Sequence, residues 1–288
     1  MPRIHPTAIV NEAATLADDV EVGPYAIIEA DVSIGPGTRI GEHAVIRRYT
    51  TLGAGNVIDA HVTLGGLPQD YKFVPLAKTY LRIGDGNTFR EGVTISRATG
   101  EGNATVVGNR TYWMTASHAG HNAVIEDECV LVNGAAMAGH TVLGRGAILS
   151  AHVVIHQFCW VGERVMTQGL SGASMHIPPY SLTGFGINNL IGLNVVGMRR
   201  ATDLTNEDRR QIKEAFRLLY RSGLTPAKAL EKMDACEDWG APAGRYRDFV
   251  RRVLTATKPY DRGVCHLRRH QEDSDESEWA VKTPPQTT

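Results

Sequence analysis

The sequence predicts a mainly β chain: a parallel β-helix of hexapeptide repeats followed by a C-terminal α-helical domain. Three observations carry this expectation. Aliphatic residues recur every six positions, glycine often follows them, and helix signals replace the period in the last third of the chain. Stepping by six from Val10 meets Leu16, Val22, Ile28, Ile34, Ile40, Ile46, Leu52, Ile58 and Leu64. The phase resumes at Ile83, Phe89 and Ile95, and again from Val107 through Trp113, Ala119, Ile125, Leu131, Met137, Leu143, Leu149 and Ile155 to Val161. A period of six matches neither the 3.6 of an amphipathic helix nor the 2 of a flat strand. A six-residue face used three times per coil satisfies it, with residues 18 apart stacked on one another.

The elements follow in order. The coils are expected over residues 1–187, interrupted by two breaks at about 66–82 and 96–106. Glycines 23, 35, 41, 53 and 65 are expected to turn corners, often at positive φ. Ile177-Pro-Pro-Tyr180 reads as an exit, because proline cannot serve a central ladder. A helical domain is expected over 188–262. Its first helix is capped by Asp203 or Thr205, runs to about Ser222 and stops at Gly223. A second begins near Thr225-Pro226 and a third spans Pro242 to Thr257. From 263 to 288 the acidic run Glu272-Asp-Ser-Asp-Glu-Ser-Glu278 and the Pro/Gln/Thr ending suggest a disordered tail.

Composition excludes several classes. A formal net charge of −1 over 288 residues, with 42% hydrophobic and 21% charged content, gives no electrostatic case for a nucleic-acid partner. The chain shows no signal-peptide run and no stretch near the roughly 20 apolar residues of a membrane span, so a cytoplasmic location is expected. Cys129, Cys159, Cys236 and Cys265 are too far apart for a C-x-x-C site and read as unpaired thiols. No resident metal or cofactor is expected.

The 18-residue rule then places the histidines. His121 falls beneath Gly139 and Gln157, Asn122 beneath His140, and Gly120 beneath Ala138 and His156. His118, His121, His140 and His156 therefore gather on neighbouring coils. Histidine titrates nearest neutrality, so such a cluster can move protons. With no side chain at Gly139, its N–H could approach a developing oxyanion, as acyl transfer requires.

At this point the motifs His5-Pro-Thr-Ala-Ile-Val, Gln69-Asp-Tyr-Lys72, Gly84-Asp85, His118-Ala-Gly-His121, Ala138-Gly-His140, His156-Gln-Phe158 and Pro178-Pro-Tyr180 bring a resemblance into view. The chain resembles the UDP-N-acetylglucosamine O-acyltransferases of lipid A biosynthesis over about residues 4–257. The resemblance implies a left-handed β-helix and a homotrimer with active sites between subunits. It implies transfer of a (3-hydroxy)acyl group from acyl carrier protein to the 3-position of UDP-N-acetylglucosamine. His121 matches the general base and Gly139 the oxyanion donor. His118, His140, His156 and Gln157 match the lining of the sugar and diphosphate site, and Gln69, Asp70 and Lys72 its binding loop. Asn194 and Arg200 match nucleotide contacts, and Gly169 the position that limits acyl length. Lys72 and Arg200 also fit as solvated charges, and Gly169 as a corner glycine.

Four positions depart from the family pattern. Asn122 stands where aspartate is usual beside the base, Ser96 where histidine is frequent, Val196 where glutamate is common, and Ala201 where a further arginine is usual. A neutral Asn122 can orient the ring but stabilises an imidazolium less than a carboxylate would. Other readings stay open: a zinc hydratase of the γ-carbonic-anhydrase type, a binding scaffold without turnover, and a 3-amino analogue of the sugar as acceptor. The N-acyltransferase of the same pathway carries an extra N-terminal domain, for which hexads beginning by Val10 leave no room. The helix face of Arg210, Lys213, Arg217 and Arg221 suits an acidic carrier protein or water equally.

Overall fold

The computed structural model describes residues 1–268. Each hexad is a two-residue strand followed by a corner. In Ile27–Ile28, Ser33–Ile34 and Arg39–Ile40 the first residue faces out and the second is buried. Three strands complete a coil, so that Val22 pairs in parallel with Ile40 and Ile40 with Ile58. Three parallel sheets of eight, ten and eight strands result. These sheets are the flat sides of a β-helical prism whose interior is filled by the six-residue series. Phe89 and Trp113 continue the aliphatic column, fully buried, and the Trp113 indole donates to Thr111 Oγ1 at 2.8 Å. Each large apolar side chain so buried contributes about 1.5–3 kcal/mol relative to exposure.

The glycines play a different part from the one expected. From Val22 to Ile58, positive φ falls three residues beyond each aliphatic, at Tyr25, Asp31, Gly37, His43, Tyr49, Gly55 and His61. Of glycines 23, 35, 41, 53 and 65, only Gly65 has positive φ. The others are glycine because the next coil is too close. A Cβ at Gly35 would lie 2.7 Å from the Gly53 carbonyl carbon, and one at Gly41 2.9 Å from that of Asp59.

Both breaks are insertions, and both occur at one corner. Ile58 pairs with Phe89 and Phe89 with Trp113, spacings of 31 and 24 residues where 18 is the rule. The extra residues lie between Thr63–Gly66 and Tyr80–Ile83, then between Thr94–Ser96 and Ala104–Val107. The next two coils place His121 and Gly139 at that same corner. A second corner carries Ala54, Asp85, Asn109, Asp127 and Arg145. The third carries Asn133, Ala151 and Gly169.

Three expectations at the C-terminal end require correction. The prolines do not end the β-helix: Ile177 bridges Val161, and Gly186–Ile187 still pairs with Ser171–Gly172. Position 188 does not begin a helical unit either, because strand Asn189–Leu193 folds back antiparallel on Ser181–Thr183. Nor does the chain leave the fold at Gly263. Val264 bridges His176, and His266–Leu267 pairs with Asn189–Leu190. The rest of the expected disordered tail, 269–288, lies outside the described residues.

Four helices follow the strands: α1 (Val195–Arg200), α2 (Asn206–Tyr220), α3 (Pro226–Asp234) and α4 (Ala241–Leu254). α1 carries no periodic signal and was not foreseen. Thr205, rather than Asp203, caps α2 in a reciprocal capping box with Asp208, while Asp203 pairs with Arg164 at 2.7 Å. Thr225 caps α3 with Pro226 at its start, as expected. Ile212, Phe216, Leu219, Met233, Tyr246 and Val250 form a second hydrophobic core between the helices. Among the described residues no helix is long and apolar enough to cross a membrane. The four cysteines are unpaired, and burial pushes the Cys129 and Cys265 thiols up to about 12.

Candidate active site

The site is built where the second insertion meets the turn His121–Asn122. Asn122 holds φ 59°, the left-handed conformation that asparagine tolerates. Its carboxamide oxygen accepts from the Thr99 N–H, the Thr99 hydroxyl and His121 Nδ1, each at 2.9 Å. Its Nδ2 donates back to the Thr99 carbonyl at 3.1 Å. This reciprocal pairing with the Thr99 backbone settles which end of the amide is oxygen. Because that oxygen can only accept, His121 Nδ1 must carry the hydrogen, and the lone pair of the neutral ring resides on Nε2. An oriented imidazole is the consequence.

Gly139 lies directly over that nitrogen. A Cβ there would sit 2.7 Å from both Nε2 and Cε1 of His121, so any side chain would displace the ring. Its neighbours Ala138 and His140 donate to Ile155 and His121 carbonyls, at 3.0 and 2.9 Å. The Gly139 N–H has no acceptor among the described residues. At the Arg145 corner three equivalent groups are capped: Ala54 N–H donates to Asp85, Asp85 N–H to Asn109, and Asn109 N–H to Asp127, at 2.7–2.8 Å. An unclaimed, backbone-fixed N–H thus stands beside an oriented imidazole.

The other histidines frame this pair. His140 meets His121 edge to face with ring centroids 5.1 Å apart and stacks on Phe158 at 4.8 Å. Burial holds the His140 imidazole below the ordinary histidine range, the nearby His121 adds to this, and Asp70 opposes it. Burial also lowers His118, whose Nδ1 lies 2.8 Å from Thr94 Oγ1. Both rings are therefore neutral at pH 7. His156 is exposed, with Nδ1 donating to the Gln157 carbonyl at 3.1 Å.

The first insertion brings Asp70 and Lys72 to a cavity of about 550 Å³ shared with Thr99, Gly100 and Glu101 of the second. The Asp70 carboxylate accepts from the Lys72 N–H at 2.9 Å, shaping the loop, while the Gln69 and Lys72 side chains are exposed. Asn194 is not brought to this cavity within one chain. It caps α1, accepting from Gly197 N–H at 2.9 Å and donating to the Arg164 carbonyl at 3.0 Å. Arg164 belongs to the Arg145 corner, so Asn194 and the exposed Arg200 of α1 stand apart from His121. Gly169 occupies the third corner, where a Cβ would meet only the Ala151 carbonyl at 3.5 Å, an ordinary contact. Neither φ nor crowding demands glycine there.

The basic stripe on α2 is less basic than its spacing suggests. Arg210 pairs with Glu207 at 2.6 Å and Arg217 with Glu214 at 2.7 Å, leaving Lys213 and Arg221 without a carboxylate among the described residues.

Comparison with known proteins agrees with this architecture. A family model described as UDP N-acetylglucosamine O-acyltransferase, domain 2, matches residues 177–265, and one described as bacterial transferase hexapeptide (six repeats) matches 2–48. A Thiobacillus denitrificans protein named acyl-[acyl-carrier-protein]--UDP-N-acetylglucosamine O-acyltransferase is 42% identical over 265 residues, 92% of this chain and 99% of its own length. The chain belongs to the UDP-N-acetylglucosamine O-acyltransferase family. An Anaeromyxobacter dehalogenans acyltransferase of the same name is 45% identical over 81% of this chain and 90% of its own. Solved UDP-N-acetylglucosamine acyltransferases superpose well. That from Francisella novicida gives a TM-score of 0.85 at 31% identity, over 98% of this chain and 100% of its own. That from Bacteroides fragilis gives 0.82 at 35%, over 91% and 99%.

The departures of this acyltransferase acquire physical readings. Asn122 keeps the positional part of the aspartate's task and adds a donor that ties the turn to Thr99. Ser96 is buried at the end of its strand, Val196 is exposed, and Ala201 is buried as the cap of α1, with no room for an arginine. Thr99 is the residue that sequence reasoning missed. It lies inside a break in the period, and only the Asn122 pairing gives it meaning.

Proposed function

We propose that this acyltransferase moves a 3-hydroxyacyl group from acyl carrier protein to the 3-position of UDP-N-acetylglucosamine, with His121 as general base. The observation that carries the reading is the free Nε2 of His121 beneath the open Gly139 N–H. Nε2 takes the proton of the sugar 3-hydroxyl as the oxygen attacks the thioester carbonyl. The Gly139 N–H donates to the oxyanion of the tetrahedral intermediate. Collapse breaks the C–S bond, forms the ester and returns the proton from the imidazolium to the departing thiolate. Neutral His118 and His140 leave that imidazolium without added repulsion.

Asp70, Lys72, His118, His140, His156 and Gln157 are assigned to the sugar nucleotide, with Gln69 beside them on the loop. Asn194 and Arg200 serve it from a neighbouring copy, because one prism holds them and His121 at different corners. That division supports a homotrimer, whose three-fold ring repeats one heterologous contact. Gly169 limits acyl length through space rather than backbone need. A cytoplasmic location accompanies the carrier-protein donor.

The test is acyl transfer from a panel of 3-hydroxyacyl carrier-protein thioesters to UDP-N-acetylglucosamine and its 3-amino analogue, beside His121→Ala. Turnover lost in the variant names the base and the acceptor. Wild-type protein that binds the nucleotide sugar and transfers nothing defeats the proposal in favour of a scaffold.

A further inference from the structure

We propose that a cavity beneath the first insertion, on the N-terminal side of the His121 corner, is an oxyanion site that takes a phosphate group. The cavity has a volume of about 510 Å³ and is lined by Glu29, Arg47, Arg48, Tyr49, Leu76 and Arg97 among others. No histidine of the cluster at His121 lines it.

Arg97 is the decisive residue. It is 5% exposed, and its guanidinium is held 5.3 Å from the Tyr49 ring centroid and 5.5 Å from that of Phe73. Among the described residues its only side-chain hydrogen bond is a long one, Nη2 to the Pro75 carbonyl at 3.4 Å, and its buried Nε has no partner. No carboxylate pairs with it among the described residues. A lysine in such a place could shed its proton; arginine cannot, so its charge must be met. Aromatic faces meet it only in part, by less than the desolvation of a buried ion.

The surroundings add to the excess. Arg48 and Lys78 also lie over the Tyr49 ring, at 5.1 and 5.6 Å, so three cations converge on one aromatic. Arg48 is paired with Asp31 and Arg47 with Glu29, both at 2.6 Å, whereas Arg97 and Lys78 have no carboxylate partner among the described residues. Arg97, an unpaired cation lining the cavity, with Lys78 close by over the Tyr49 ring, suits an oxyanion, and guanidinium and phosphate match in geometry. Two sources share this chemistry: a free phosphate, and the phosphate of the pantetheine arm on an acyl donor.

The test is calorimetric titration of the full chain at fixed ionic strength with inorganic phosphate, and separately with 4′-phosphopantetheine. Both are repeated with Arg97→Met and Lys78→Ala. Inorganic phosphate binds the wild type, Arg97→Met abolishes the binding, and Lys78→Ala weakens it several-fold. A 4′-phosphopantetheine affinity at least tenfold above that of phosphate, and equally dependent on Arg97, assigns the site to the donor arm; equal affinities assign it to free phosphate. No binding of either probe overturns the proposal, as does binding that Arg97→Met leaves intact. If circular dichroism shows Arg97→Met unfolded, exposed Lys78 carries the test, and unchanged affinity in Lys78→Ala overturns the site. Phosphate binding is read without turnover, so this outcome stands apart from that of the acyl-transfer reading.

Discussion

The corner that carries Arg145 and the corner that carries His121 use the same two-residue turn and finish it in opposite ways. At the first, a ladder of Asp85, Asn109 and Asp127 accepts the N–H left open by each turn below, and Arg110 and Arg145 close over Glu128. At the second, the Gly139 N–H has no acceptor among the described residues, and two insertions project from the coils beneath it. The regular corner uses side chains to satisfy three of these N–H groups and to pair its charges. The irregular one leaves the Gly139 N–H free among the described residues and uses Asn122 to orient the His121 ring.

The largest effect that sharpens this contrast is at His121 itself. His121→Ala should lower kcat by about 10²–10⁴-fold, with the melting temperature shifted by no more than about 2 °C. A variant that loses that stability in proportion to its activity would make the His121 corner merely structural.

Next come paired glycine substitutions, one at each corner. Gly139→Ala drives a Cβ into the His121 ring, a side chain that can swing away, so kcat should fall about 10²-fold with little change in melting. Gly144→Ala drives one to 2.6 Å from the Glu163 nitrogen and 2.7 Å from the Gly162 carbonyl carbon, which cannot swing. Melting should fall by several degrees there, at about 1–3 kcal/mol. Equal profiles from the two variants break the comparison.

A smaller effect concerns Asn122. In Asn122→Asp a carboxylate faces His121 Nδ1–H, stabilising the imidazolium, so the acid limb of the kcat/KM profile should move to higher pH. Loss of the Nδ2 donor to Thr99 should loosen the second insertion, read as faster amide exchange at Thr99. An unmoved acid limb refutes the assignment of Asn122 to the base.

The smallest effect is on stability against pH. His118, His140 and His176 are all lowered by burial, so the unfolded chain binds protons first on acidification. Their contribution is fully present above 6.5, the ordinary histidine value, and is lost as pH falls through it towards the lowered folded values. Melting temperature should decline from pH 7 to about pH 5, and a flat curve in that window contradicts the burial assigned to them.

Much of this was legible in the sequence because a solenoid converts position into height. Stepping by 18 placed Gly139 over His121 and His140 over Asn122, and the pairing ladder repeats that register. Legibility failed where the step was broken. Thr99 and Arg97 lie in the second insertion, which has no phase, so nothing in the sequence places them. The glycines misled because positive φ and close approach both favour glycine, and only the coil spacing shows which applies. Arg210 and Arg217 misled because a charge stripe counted in one sign conceals the acids one turn earlier. The strand at His266–Leu267 escaped because its partner, Asn189–Leu190, is far away in sequence and carries no hexad.

That last strand has a consequence for how the protein is made. A solenoid can close coil by coil as the chain leaves the ribosome, each new hexad docking on a finished one. The upper end cannot. His176 donates through Nε2 to the Tyr260 carbonyl at 2.8 Å, and its backbone bonds to Gly263 and Cys265. Those partners are synthesised more than 80 residues later. A nascent chain therefore carries a completed prism with an unfinished cap, and the growing tip is sealed only when the final described residues come free.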